Sequence, residues 1–151
     1  MSETTYENVA PPTPIHRIIS LLRVGPFAII LRLVDQSLRL LTGSPVWRLS
    51  KVTEQVYLGG QHYPRGWDVM TDEGINAVLN MREAKFDDAG QGIGGEHHLH
   101  LPTRDNTAPG LEDLENAAIF VNEQVSRGHR VYIHCGVGVG RAPSATAAYF
   151  I

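Results

Sequence analysis

The segment VYIHCGVGVGRAPSATAAYF, residues 131–150, constrains the fold more than any other stretch of the chain. Val131, Tyr132 and Ile133 are β-branched or aromatic with no polar alternation, which is the composition of a strand covered on both faces. Gly136, Gly138 and Gly140 then open a loop, and Pro143 suits the first turn of a helix that SATAAYFI continues. A buried strand feeding a glycine loop and a helix points to α/β architecture, with the loop at the carboxyl end of the strand. Cys135 stands at the entrance to that loop. It is the only cysteine among 151 residues, so a disulfide framework is excluded and the thiol is either buried structure or reactive.

The rest of the body fits the same class. From Trp47 onward the β-like segments RLSKV, QVYLG, INAVLNM and HHLHLP precede VYIHC, separated by helical or loop segments. A helix is expected from Leu111 to Arg127, burying Leu111, Leu114, Ala118, Val121 and Val125, with Gly128 as its C-terminal cap. The expected fold is α/β, a central, mostly parallel sheet flanked by helices. Because the last helix reaches Ile151 without a stop signal, its C-terminal neighbours are expected to be missing and its apolar surface exposed.

Ahead of this body lie two different segments. Residues 1–14 are acidic and end in PPTP, a disordered tail with neither the basic start nor the apolar centre of a secretory signal, so a cytoplasmic location is the default. Residues 15–44 read as a basic amphipathic helical extension: Ile15, Ile18, Ile19 and Leu22 follow helical spacing, and Gly25-Pro26 interrupts. A second helix follows, with Phe27, Ile30, Leu31, Val34, Leu38 and Leu41 on one face and Arg32, Asp35 and Arg39 opposite. Residues 45–151 form the body. The formal charge of -3 is divided unevenly, since residues 15–52 carry six basic side chains against one acidic, and residues 53–151 carry seven basic against thirteen acidic. The body is thus a poor polyanion binder and no nucleic-acid partner is expected. The extension has three uses open to it: packing on the body, peripheral contact with an anionic membrane through residues 15–41, or binding a partner helix.

The loop carries the chemistry. Six consecutive N–H groups, those of Gly136, Val137, Gly138, Val139, Gly140 and Arg141, can curl around one point where glycine frees the backbone, and such a nest binds an anion. The following helix aims its N-terminal partial charge there, and Arg141 can fold back to grip two phosphate oxygens. The same donors stabilise a thiolate at Cys135 and make it a nucleophile at neutral pH.

HCGVGVGR resembles the H-C-x-x-G-x-x-R signature of the cysteine-dependent protein tyrosine phosphatase superfamily, and LPTRDNTAPGLEDL resembles the general-acid loop of its dual-specificity members. YLGGQ and INAVLNMRE extend the likeness across residues 45–151. The resemblance implies a protein tyrosine phosphatase-like fold and a phosphocysteine intermediate on Cys135. It makes Asp105 the general acid and base, Arg141 the phosphate clamp, and His134 a support for the cysteine. No metal or cofactor is implied, and the substrate is a phosphorylated protein or another phosphomonoester. Since a thiolate must coexist with a protonated Asp105, activity should peak on the acid side of neutrality.

One position departs from the pattern. The family usually has Ser or Thr after the arginine, easing departure of the sulfur, whereas this chain has Ala142, as do plant starch-glucan phosphatases with their Arg-Ala-Pro; Ser144 is expected to point elsewhere. Ala142 motivates a competing reading as a phosphate-binding pseudophosphatase or interaction module. A lipid phosphatase at a membrane is a further alternative. His98 and His100 project from one face of a strand without a third local ligand, so a polar strand face is expected there rather than a metal site. Glu83, Asp87 and Asp88 read as a solvated loop, and GQGIGG as a flexible connection.

Overall fold

The computed structural model describes residues 26–43 and 49–151, without the side chains of residues 27–29, 32, 39 and 42. The tail over 1–14, the helix expected from Ile15 and the junction at 44–45 lie outside the described residues. Two compact units divide the chain, Met1–Val34 and Asp35–Ile151.

Helix α1, Pro26–Thr42, opens on a proline whose fixed φ and missing N–H suit a first turn. Its expected faces need correction in the second unit: Asp35 is buried and Leu41 exposed. Apolar spacing located the helix without finding the side that meets protein, because Asp35 is itself engaged there. The helix ends at Gly43, whose φ is +81° and where a Cβ would lie 2.5 Å from the amide nitrogen of Gly66.

Among the described residues five strands form one sheet: β1 (Ser50–Lys51), β2 (Val56–Gly59), β3 (Ile75–Asn80), β4 (His98–His100) and β5 (Arg130–His134). Their order is β1-β2-β5-β3-β4. Only β1 runs antiparallel to its neighbour; β2, β5, β3 and β4 are parallel, and their carboxyl ends share one edge. Pleating sorts the side chains of central β5. Val131 and Ile133 join Val56, Leu79, Ala117, Val121, Ala142 and Ala145 in one core, while Tyr132 joins Tyr57, Met70, Ile75, Val78 and Ile93 in the other. The first core is covered by α3 (Leu111–Ser126) and α4 (Arg141–Phe150), the second by α2 (Trp67–Asp72) and the segment around Ile93.

Two expectations are corrected here. On α3, Val121 is buried and Leu114 and Val125 pack partly buried against the core as expected, but Leu111 is 72% exposed, and Ala117 and Gln124 take the other fully buried places. A polar residue takes a core position because the Gln124 side-chain oxygen lies 2.8 Å from Nδ1 of His129, so its burial leaves no unmet polar group. GQGIGG is packed rather than flexible: Ile93 is 1% exposed, and a Cβ on Gly94 would stand 3.0 Å from that of Val78. Of these glycines it is Gly94 that serves close approach to the sheet, while Gly92 and Gly95 adopt positive φ with open space around them.

Ile133 has no exposed surface and lies one residue before the strand's end. Ile133→Ala should lower stability by about 3 kcal/mol, read as the shift of a urea unfolding midpoint at unchanged slope.

Candidate active site

Every residue of the site hangs from the shared carboxyl edge of the parallel strands. Asn80 of β3 is registered with His134 of β5, and the N–H of Met81 donates to the His134 carbonyl at 2.8 Å. On the other side, the N–H of Gln61, just beyond β2, donates to the Gly136 carbonyl at 3.1 Å, and the Tyr132 hydroxyl donates to the Gly60 carbonyl. The loop after β5 is therefore seated between two neighbours.

Of its three glycines, only Gly138 uses the left-handed region, at φ +81°. A Cβ there would come within 2.6 Å of the Gly59 carbonyl carbon, so glycine is required both by conformation and by contact with the end of β2. Gly140, at φ −128°, makes no such demand.

Cys135 is 2% exposed. The N–H of Gly138 points at its sulfur, 3.3 Å away. Burial pushes the thiol pKa up, but backbone N–H groups of Ala142, Gly138 and Val137, joined by the Arg141 charge, outweigh it and leave the pKa below the ordinary value. That balance favours a thiolate.

Arg141 reaches back across the loop to the segment after β4. Its Nη1 donates to the Thr103 carbonyl at 2.8 Å and its Nη2 to Oδ1 of Asp105 at 2.7 Å. Thr103 is buried and Asp105 is 64% exposed at its side chain. Asn106, at φ 61°, lets the chain turn directly after Asp105. The three residues singled out for catalysis thus come together at one edge, with Asp105 and Arg141 paired to each other. Val139 is 76% exposed. Ser144 turns away as expected, its hydroxyl donating to the Gly140 carbonyl at 3.2 Å.

Behind the cysteine lies a layer of which sequence reasoning named His134 and missed Asp88 and His62. His134 is fully buried and its Nε2 lies 2.5 Å from Oδ2 of Asp88. Asp88 is therefore not part of a solvated loop, and its burial corrects that reading. Burial alone would raise its pKa, but the hydrogen bond and charge of His134 bring it below the ordinary carboxylate value. The carboxylate fixes the proton on Nε2, while Nδ1 faces the Cys135 carbonyl at 3.4 Å. The ring of His62 stands edge-on to His134 at 5.0 Å, and burial followed by the charge of His134 pushes its pKa down to about 3, so it remains a neutral wall.

Asn80 is the signal that sequence offered for this layer. A buried polar side chain closing the strand needs partners, and Asn80 finds them in the Phe86 carbonyl at 2.7 Å and the Arg82 N–H at 2.8 Å. It thereby folds the 81–88 segment back over the edge of the sheet. His98 and His100 have ring centroids 6.4 Å apart, and His100 Nε2 donates to the Arg82 carbonyl at 2.8 Å. Among the described residues, no three His, Cys, Asp or Glu side chains are grouped to hold a metal ion.

Asp88→Asn should cost roughly 3 kcal/mol at neutral pH, since it removes the carboxylate acceptor of a buried hydrogen bond from His134. Because the native pKa of Asp88 is depressed, its contribution is present above the ordinary value of 3.8 and is lost as pH falls through the lower native one. The gap between variant and parent should therefore close in acid; a gap constant from pH 7 to 3 would contradict the pairing.

The fold and this edge have relatives. A family described as "Polymorphic toxin system, DSP-PTPase phosphatase" matches residues 55–151. Dual specificity protein phosphatase 12 of Rattus norvegicus is 30% identical over 102 residues, covering 67% of this chain and 30% of that protein. Phosphatidylglycerophosphate phosphatase PTPMT1 of Arabidopsis thaliana is 26% identical over 105 residues, 67% of this chain and 31% of that one. This chain spans about a third of the length of these curated relatives. Among solved structures, Tk-PTP in its active form superposes with a TM-score of 0.57 at 27% identity, covering 64% of this chain and 67% of that one. PTPMT1 gives 0.59 at 26% identity, with 70% and 71% covered. With a family match across most of the body and the same architecture in these neighbours, the chain belongs to the dual-specificity-like DSP-PTPase family within the cysteine-dependent protein tyrosine phosphatase superfamily.

Proposed function

We propose that this protein is a phosphatase that hydrolyses phosphomonoesters through a phosphocysteine, with Cys135 as nucleophile, Asp105 as general acid and then base, and Arg141 as phosphate clamp. The observation that carries the reading is the thiol, nearly closed off from water yet held below its ordinary pKa by inward N–H groups. A buried sulfur with no such task would have its pKa raised.

The steps follow from the groups present. The substrate phosphoryl enters the loop, where N–H groups of residues 136–141 and the guanidinium take its equatorial oxygens. Since Nη2 of Arg141 already holds Asp105, the phosphoryl oxygens compete for that nitrogen and turn the carboxyl group toward the leaving oxygen. The Cys135 thiolate attacks phosphorus, an S–P bond forms, the ester O–P bond breaks, and the Asp105 proton passes to the departing alcohol. Water then attacks phosphorus and gives its proton to Asp105. The sulfur leaves as thiolate and inorganic phosphate is released.

His134 acts through Cys135 by holding the turn at the strand end, with Asp88 fixing its ring. Phosphorylated protein is the substrate class that the dual-specificity relatives suggest. A second reading, a module that captures a phosphate without turning it over, is favoured by Ala142, which leaves the second step without a hydroxyl beside the sulfur. Peripheral contact with anionic lipid through residues 15–41 rests on the positive charge of that segment and on the relative named as a phosphatidylglycerophosphate phosphatase. Among the described residues no helix is long and apolar enough to cross a membrane.

Phosphate release from an aryl phosphomonoester should survive a chelator, stop with vanadate, vanish in Cys135→Ser and fall a hundredfold or more, roughly, in Asp105→Asn. Unaltered turnover in Cys135→Ser would overturn the reading; a trapped phosphocysteine without release would establish the capture module. For the lipid contact, full-length protein should float with anionic liposomes and a chain of residues 45–151 should not.

A further inference from the structure

Arg82 follows β3 as Cys135 follows β5, and the two strands are adjacent and registered at Asn80 and His134. Adjacent strands lie roughly 4.8 Å apart, so Arg82 emerges beside the start of the glycine loop, well within reach of an arginine side chain. Its placement is built. Its N–H donates to the Asn80 side-chain oxygen at 2.8 Å, and its carbonyl accepts from His100 Nε2 at 2.8 Å. The guanidinium carbon lies 3.4 Å over the centre of the Phe86 ring, and Asn80 also holds the Phe86 carbonyl at 2.7 Å. One buried asparagine thus fixes both the arginine and the aromatic platform beneath it.

Arg82 is only 8% exposed as a residue, and among the described residues no acceptor lies within hydrogen-bond distance of its guanidinium and no carboxylate pairs with it; none of its nitrogens is both fully buried and unpaired, so the fork still touches solvent. A guanidinium whose five donors have no protein acceptor and still reach solvent is open to an anion. Stacking on a ring orients the fork without using those donors. Lys85, the nearest cation in sequence, is exposed and paired with Glu83, so it does not duplicate Arg82.

We propose that Arg82 forms a second anion subsite beside the Cys135 loop, taking a second phosphate that the substrate carries close to the reacting one. The inference rests on the phosphatase reading for the identity of the first site and goes beyond it by naming the substrate chemistry, a bisphosphate or diphosphate rather than a simple monoester. The field at Arg82 accords with this position. Burial lowers its pKa, Asp88 raises it, Arg141 lowers it, and Tyr63 and Cys135 raise it, so three of the four groups acting on it, Asp88, Arg141 and Cys135, belong to the site. Two guanidiniums at one edge repel unless anions lie between them, and a substrate with two phosphates supplies one for each.

Calorimetric binding of three probes to the full-length protein tests the proposal. These are orthophosphate, pyrophosphate, and propanediol bisphosphate, in which three carbons separate the phosphates. Pyrophosphate or the bisphosphate should bind at least about tenfold tighter than orthophosphate, and whichever is preferred gives the spacing. In Arg82→Gln the ratio should fall to about one, whereas Arg82→Lys, which retains the charge, should keep at least about a third of it. A ratio near one in the parent protein overturns the subsite whether or not the variants fold. So does a ratio unchanged in Arg82→Gln, or abolished in Arg82→Lys. Orthophosphate binding with no preference removes this inference alone, and binding of none of the probes removes the phosphatase reading with it.

Discussion

Two opposed effects meet at the sulfur of Cys135, and the site depends on which prevails. Closing the thiol off from water penalises the anion, while N–H groups of the loop, with Arg141 beside them, favour it; the donors win. Those donors converge only because Gly138 adopts a left-handed conformation against the carbonyl of Gly59, where any side chain would collide. The end of β2 therefore shapes the loop that follows β5, although the two are far apart in sequence. Parallel pairing brings them together, and the same pairing puts the ends of β3 and β4 alongside.

From this arrangement the site acquires depth. Asp105 and Arg141 meet in front of the sulfur, while His134, Asp88 and His62 form a closed layer behind it. The front pair is partly in water and open to displacement by a phosphate. The rear pair has almost no solvent contact, so it holds one geometry and costs much to break. Asn80 ties the rear layer to the sheet and also sets Arg82 on its aromatic base. One buried amide thereby connects the nucleophile's support to the groove beside it.

Much of this was legible before any coordinates. The strand, loop and helix around Cys135 are written in local chemistry: β-branched residues, glycines and a proline, each with its own backbone preference. The mostly parallel sheet and the carboxyl-edge location of the loop follow from α/β rules, and the structure pairs Asp105 with Arg141 beside the Cys135 loop. What escaped was decided by contacts between distant segments. Asp88 looks like a loop carboxylate until His134 is placed opposite it. GQGIGG looks pliant until Ile93 fills the second core. The face of α3 was misjudged at Leu111 because Gln124 is buried with a partner supplied by His129. Periodicity reads apolarity, and it is blind to a polar group whose need is met in three dimensions.

The most direct measurement is the rate of Cys135 alkylation by iodoacetamide as a function of pH, in the parent protein and in Gly138→Ala. With the loop intact, the midpoint should lie well below the ~8.5 of an unperturbed cysteine, and the added methyl should move it upward by disturbing the donors. A midpoint at or above ~8.5 in the parent protein would mean that burial, not the ring of N–H groups, governs the sulfur, and the account would fail.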